Sequence, residues 1–327
     1  MLEGLRFAEY RFVLEARTPV YFPPYKGSVL RGALGTVLKR VSCSLKDAQC
    51  PDCMLRPSCP YGVIFESGPG PEARRLRNFE QVARPFVLRH PPDQRTVVKP
   101  GDTFEFNLVL VGRAIEYLPY FIVVFRELGE EGMGLWRDGR RGQAHLRLVT
   151  GRDPAGFGDS GSPREERVFD GSTGKVLNLD VVLTGEALEK WALAMPRHAL
   201  TLEFLTMTRL QHGEHLVSNP EFHVLVRALL RRFSTLAYFY HGLEPTLDFR
   251  GLIAQAEEVL TEPLTLRWED WQRYSSRQKA AMNLGGLVGK VRYRGNLESF
   301  LPLLAFGSIV HVGKNSTFGL GQYSIVA

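Results

Sequence analysis

Between residues 152 and 175 the chain reads RDPAGFGDSGSPREERVFDGSTGK, a run of glycine, proline, serine and charge with almost no apolar periodicity. Such a stretch offers turn formers but no repeating face to bury, so it marks a connection between folded parts. It falls near the middle of a 327-residue chain, and each flank is long enough to close a core of its own. Two domains are therefore expected, residues 1–151 and 176–327, with a linker at 152–175.

Both flanks alternate strand and helix. In the first, FAEYRFVLEAR (7–17) reads as a strand, and Ser28 can cap a helix whose Val29, Leu30, Ala33, Leu34, Val37, Leu38 and Val41 share one stripe. Strand candidates follow at 63–65, 86–89 and 103–111, then a helix over 119–128 and a strand AHLRLV, which together give the order β-α-β-β-α-β. The second flank alternates in the same way: strands at 177–183 and 200–207, a helix at 221–240, strands LTLRW and GGLVGKVRYRG, a helix at 297–305 and a strand SIVHV. The duplication is one of architecture and not of sequence, and the fold class is α+β.

All four cysteines crowd into the first flank, at Cys43, Cys50, Cys53 and Cys59, spaced C-x6-C-x2-C-x5-C. Thiolates so close together, in a window rich in Pro51, Asp52, Pro57, Ser58 and Pro60, can wrap one ion in a tetrahedral sulfur shell. Zinc is the first expectation, in a small insertion at 43–59. An iron–sulfur cluster accepts the same donors, and spacing separates the two poorly. Four cysteine ligands leave no open coordination position, so the role expected is structural.

The longest apolar run, YLPYFIVVF at 117–125, is far shorter than the roughly 20 residues a membrane helix needs, and it contains Pro119. The amino terminus mixes acids and bases with no apolar stretch of signal-peptide type, so a cytoplasmic protein without a membrane partner is expected. A net charge of +6 makes an anionic partner plausible only where the cations cluster. They do so near the carboxyl end. Alternation in KVRYR sets Lys290, Arg292 and Arg294 on one strand face, and Arg273 and Arg277 become neighbours if RYSSRQKAA is helical. Close behind lies HVGKNSTFGLGQY (311–323), in which Gly313, Gly319 and Gly321 surround Lys314, Ser316 and Thr317. It is neither a Walker loop nor a dinucleotide fingerprint. What remains is a backbone able to approach a ligand closely, beside a charge and hydroxyls, and the pairing with a basic strand face points to a nucleic-acid backbone, RNA first.

Taken together, RYSSRQ (273–278), GGLVG (285–289) and HVGKNSTFGLGQY (311–323) resemble the CRISPR-associated endoribonucleases that process precursor CRISPR RNA, members of the repeat-associated mysterious protein (RAMP) superfamily. The likeness extends upstream through KGSVLRGALG (26–35), the four-cysteine window, RPFVL (84–88), GMGLWR (132–137) and NPEF (219–222), an order similar to that of a subgroup with a cysteine-rich insertion. The resemblance implies two tandem ferredoxin-like (RRM-like) domains, in agreement with the duplication. It implies a cut in CRISPR repeat RNA made without a catalytic metal, by attack of the 2′-hydroxyl on the adjacent phosphate. The products would be a guide RNA with 2′,3′-cyclic phosphate and 5′-hydroxyl ends. The alternative is a non-catalytic RNA-binding subunit of a CRISPR effector complex. Other effector subunits are expected as partners. Many members carry a histidine soon after the first strand, whereas residues 1–89 here contain none. Tyr25 and Lys26 occupy that loop, Arg31 follows as a charge stabiliser, and His311 and His215 are the histidines offered as general base.

Overall fold

The computed structural model describes residues 1–45, 49–68, 82–89, 93, 95–152, 164–177, 181–275 and 280–326, with backbone alone at 273–275 and 280–282. The chain divides into two compact units. One is Arg6–Leu183 with Phe239–His241, and the other is Thr184–Tyr238 with Gly242–Ala327 and Met1–Leu5.

The first unit runs through β1 (Arg6–Ala16), α1 (Gly27–Ser42), a short α2 (Pro60–Ile64), β2 (Phe86–Arg89), β3 (Thr103–Val111), α3 (Leu118–Glu131), β4 (Ala144–Arg152) and β5 (Glu165–Asp170). Its strands lie in the order β5-β4-β1-β3-β2, each antiparallel to its neighbour. Period-two alternation in β1 buries Tyr10, Phe12 and Leu14 and leaves Glu9, Arg11 and Glu15 on the other face. α1 and α3 supply Leu34, Leu38, Phe121 and Phe125 to the same core. Phe12 stacks on Phe106 with centroids 5.3 Å apart, and Phe125 lies 5.1 and 4.5 Å from the two. Each such side chain contributes about 1.5–3 kcal/mol through burial.

The second unit contains α4 (Gly185–Leu193), β6 (Ala199–Thr208), α5 (Phe222–His241), α6 (Phe249–Glu257), β7 (Leu260–Pro263), β8 (Arg267–Glu269), β9 (Gln272–Ser275), β10 (Ala280–Asn283), β11 (Gly286–Arg294), α7 (Leu301–Val310) and β12 (Tyr323–Val326). The sheet order is β7-β11-β6-β12, with β8 also pairing with β11. Both units thus place their third strand beside the first and their fourth on the first strand's other side, the ferredoxin-like arrangement. Tyr293 is fully buried; its hydroxyl donates to the Pro220 carbonyl at 3.1 Å and its ring packs 4.8 Å from Phe222.

Four local expectations change. The segment expected as a linker contains β5, which joins the sheet because Val168 and Phe169 bury fully in an otherwise polar stretch, and the division between units comes at Leu183. Residues 60–64 form a helix and not a strand, opened by Pro60 in its first turn. SIVHV is the last turn of α7 followed by a reversal at His311, where φ is 63°. Its β-branched residues reflect a helix buried on every side. Of RYSSRQKAA, residues 273–275 and 280–281 lie on the paired strands β9 and β10 and not in a helix, and 276–279 lie outside the described residues. Among the described residues no helix is long and apolar enough to cross a membrane.

Candidate nucleic-acid interface

The register of β11 places Lys290 opposite Glu203, Arg292 opposite Thr201 and Glu262, and Arg294 opposite Ala199 and Leu260. Val291 and Tyr293 point into the core, so the three cations share the open face as alternation predicts. Their charges are not equally available. Lys290 lies 3.8 Å from Glu203 and Arg294 3.3 Å from Glu262, whereas exposed Arg292 makes no ion pair among the described residues.

The glycine loop closes on the end of β6. The Val312 N–H donates to the Gly321 carbonyl at 2.9 Å, Lys314 N–H to the Arg209 carbonyl at 3.1 Å, and Gly321 N–H to the Met207 carbonyl at 3.2 Å. Gly313 and Gly321 have φ of 83° and 75°. A Cβ would stand 2.6 Å from the Arg209 carbonyl oxygen at the first and 1.8 Å from the Val312 carbonyl oxygen at the second. The loop's own closure therefore demands both glycines. Gly319, buried with φ of 86°, ends the turn begun at Ser316 and gives its carbonyl to Thr206 Oγ1 at 2.9 Å. Ser316 and Thr317 are buried, whereas Lys314 is exposed.

Arg209 belongs to this site although nothing in its sequence neighbourhood marks it. Its Nη1 donates to the Gly285 carbonyl at 2.5 Å, while its buried Nε has no hydrogen-bond partner. Burial holds its guanidinium pKa below the usual arginine range. A half-buried cation that makes no ion pair among the described residues, next to a loop bearing Lys314, is electrostatically matched to a phosphate. The signal in sequence would have been an arginine just after the strand that carries the alternating LTLEFLTMT, which no motif singles out.

Three of the four candidate catalytic side chains are buried. His311 is fully buried, with Nδ1 3.1 Å from the Leu320 carbonyl oxygen, at the reversal into the glycine loop. Tyr25 is 8% exposed, and burial raises its phenol pKa, against a role as base. Lys26, at the start of α1, is 4% exposed; burial lowers its ammonium pKa against the pull of Asp93, whose carbonyl takes its Nζ hydrogen bond. His215 remains open. It sits on an exposed two-residue hairpin opposite His212, whose ring meets His223 edge-on at 5.2 Å. His223 in turn lies 2.7 Å from Glu221. Arg31 is held in α1 with its guanidinium 4.8 Å from the Phe65 ring centroid. Arg273 lies on β9 with its side chain outside the described residues, as is the whole of Arg277.

Cys43, Cys50, Cys53 and Cys59 are free, partly buried thiols. Burial raises the Cys50 thiol pKa; nearby Lys39 lowers it, and Cys43 and Cys59 are close enough to add to the rise. The donor set is that of a zinc site, but no three His, Cys, Asp or Glu side chains converge as a metal centre among the described residues. A pocket of about 360 Å³ opens beside this segment, lined among others by Cys53, Met54, Arg56 and Arg113.

Residues 5–181 match the family model AF_1859_N, N-terminal domain, more than half of the chain, and residues 202–323 match CRISPR-associated endoribonuclease Cas6. The chain belongs to the family of the first of these models, and its residues 202–323 carry the match to the CRISPR-associated endoribonuclease. An uncharacterized protein of Archaeoglobus fulgidus is 24% identical over 314 residues, 93% of each chain. Among solved structures, a Cas6 product complex aligns over 98% of this chain and 100% of its own at 16% identity and a TM-score of 0.57, and Thermus thermophilus Cas6 over 98% and 99% at 15% and 0.53. A partial Cas6-RT-Cas1–Cas2 complex aligns over 100% of this chain and 47% of its own, at 14% identity and 0.57. At these identities the likenesses show the fold.

Proposed function

We propose that the chain cuts CRISPR repeat RNA by metal-independent transesterification. A base takes the proton of a ribose 2′-hydroxyl, whose oxygen attacks the adjacent phosphorus. The bond from phosphorus to the 5′-oxygen breaks, and an acid protonates that oxygen. The products are a 2′,3′-cyclic phosphate and a 5′-hydroxyl, and the steps require a base, an acid and cations for the phosphorane charge. The observation that carries this reading is that the Cas6 match at 202–323 contains Arg209, Arg292 and Lys314, which make no ion pair among the described residues. In this reading these three hold the backbone and His215, on the exposed hairpin, serves as base, since imidazole is the side chain whose charge changes nearest neutrality.

A second reading, an RNA-binding subunit that holds a guide without cutting, is favoured by the burial of His311 and Tyr25, which thins the catalytic set. Incubation of labelled repeat RNA in EDTA decides between them. Cyclic-phosphate products, lost in His215→Ala with binding retained, support the endoribonuclease; tight binding with intact RNA refutes it in favour of the subunit. CRISPR protein partners are part of both readings. We also propose a structural zinc held by the four cysteines, on the strength of their donor chemistry.

A further inference from the structure

In the first unit a short hairpin, Met133–Arg137 and Arg140–Gly142, stands apart from the main sheet. Its turn residues Asp138 and Gly139 have φ of 50° and 76°, the left-handed pair that a tight two-residue hairpin requires and that Asp-Gly favours. The roots are fixed. Met133 is buried, and a Cβ on Gly134 or Gly142 would fall 2.3 Å from the carbonyl oxygens of Tyr21 and Pro19 respectively, so glycine lets both strands lie directly against that backbone. Beyond these roots every residue from Leu135 to Arg141 is exposed, Trp136 at 64%. An indole that far in solvent, with a guanidinium beside it, offers a ring face to a partner.

The charges around it are also unsatisfied. Arg137 and Arg140 stand opposite each other across the turn, a like-charge pair that an isolated chain disfavours. The Arg141 guanidinium lies 5.4 Å from the Trp136 ring and that of Arg137 5.6 Å from the Tyr21 ring. Arg17 is nearby, its N–H bonded to the Gln143 carbonyl just beyond the hairpin. Among the described residues none of these four arginines makes an ion pair, whereas Arg11, Arg40, Arg89, Arg95, Arg147, Arg152 and Arg167 of the same unit all do.

We propose that the hairpin is a second RNA contact, which takes an unpaired nucleotide with its base stacked on Trp136 and the neighbouring phosphates held by Arg137, Arg140 and Arg141. A carboxylate-rich peptide would satisfy the arginines but gives no use for an exposed indole flanked by a guanidinium; a base has the π-face and the adjacent charge that this pair complements. A paired base hides that face in its stack, so the occupant is single-stranded. The inference rests on the reading of the chain as an RNA-processing protein and adds to it a site on the other unit.

The probe is a fluorescein-labelled single-stranded oligouridylate, titrated by anisotropy. Trp136→Ala should weaken binding about tenfold, Trp136→Phe should stay within about twofold of the parent, and Arg137→Ala with Arg140→Ala should lower the salt slope by about 1.4. All three should melt with the parent, since the changed side chains are exposed. Unchanged affinity in Trp136→Ala overturns the proposal and leaves the RNA-processing reading standing if Arg292→Ala still weakens binding. If the parent protein binds no RNA at low salt, both fall. If polyglutamate binds with the same dependence on Trp136, the surface is an acidic-protein site and the assignment to RNA is wrong.

Discussion

Replacing the cations of β11 one at a time should reveal an order set by their ion pairs and not by their exposure. A phosphate must compete with Glu203 for Lys290, 3.8 Å away, and with Glu262 for Arg294, 3.3 Å away, whereas Arg292 makes no ion pair among the described residues. Exposed pairs are worth about 0–1 kcal/mol, enough to cost up to about fivefold in a competing contact. Each phosphate contact removed lowers the slope of log K against log salt by about 0.7 for a single strand, so one lost contact softens the weakening between about 50 and about 200 mM salt by roughly 2.6-fold. Arg292→Ala should show that full change in filter binding of repeat RNA, and Lys290→Ala and Arg294→Ala a smaller one. Glu203→Gln should tighten binding and steepen the slope, because it releases Lys290 at no cost to the buried side of the sheet. A larger loss in Lys290→Ala than in Arg292→Ala, or no gain in Glu203→Gln, would refute the reasoning.

Gly321→Ala combines a left-handed φ of 75° with a Cβ 1.8 Å from the Val312 carbonyl oxygen, so it should cost more than about 2 kcal/mol in denaturant melts and weaken RNA binding through the displaced loop. Glu9, with a side chain 13% exposed, is pushed up by burial but lowered overall by Arg89, the Asn107 amide and Arg152. A carboxylate whose folded pKa is depressed gives stability above its unfolded pKa that is lost as pH falls through the folded one. Glu9→Gln should therefore destabilise by about 3 kcal/mol at neutral pH and flatten the fall in stability below about pH 4, measured by urea melts across that range. Purified protein should carry about one zinc per chain, absent in Cys50→Ser, by elemental analysis; metal-free native protein would remove the four-thiolate proposal. His311→Ala should lower the melting temperature, whereas His215→Ala should leave melting and RNA affinity unchanged and abolish cleavage.

The sequence carried the repeated β-α-β-β-α-β order because each strand announces itself by a residue-by-residue choice of face. Val291 and Tyr293 had to go in if Lys290, Arg292 and Arg294 stayed out, and the structure agrees. Periodicity said less where a segment is buried on all sides: LPLLAFGSIV has no polar face, and its β-branched end read as a strand although it finishes a helix. The chemistry of single residues was least legible. His311 and Tyr25 look reactive in a string of letters, but reactivity depends on solvent and partners, and both prove to be enclosed. Arg209 looks ordinary, yet its value lies in making no ion pair among the described residues, which depends on what the fold brings near it.

The two units apply opposite electrostatics to one architecture. On the open face of the first sheet four arginines meet four carboxylates: Arg11 reaches Glu105 at 3.4 Å and Glu165 at 2.5 Å, Arg89 and Arg152 reach Glu9 at 3.0 and 3.5 Å, and Arg147 pairs with Glu15. That lattice is neutral, and its cations are already committed to internal partners, so a polyanion laid on it would have to break pairs without gaining net charge. The second sheet leaves Arg292 uncommitted on the equivalent face, and the loop that follows α7 adds Lys314. An uncommitted cation is thus on the strand face of the second unit, whereas in the first the arginines of that face are paired and Arg137, Arg140 and Arg141 on the hairpin beside Trp136 make no ion pair among the described residues. If the duplication arose from one ancestral RNA-binding sheet, neutralising substitutions in β1 and β3 would have moved the first unit's contact from sheet to hairpin. Glu105→Gln with Glu165→Gln should partly reverse that move, freeing Arg11 to raise RNA affinity with a steeper salt slope. No change in either would show that this sheet face is inaccessible to RNA for reasons other than its charge.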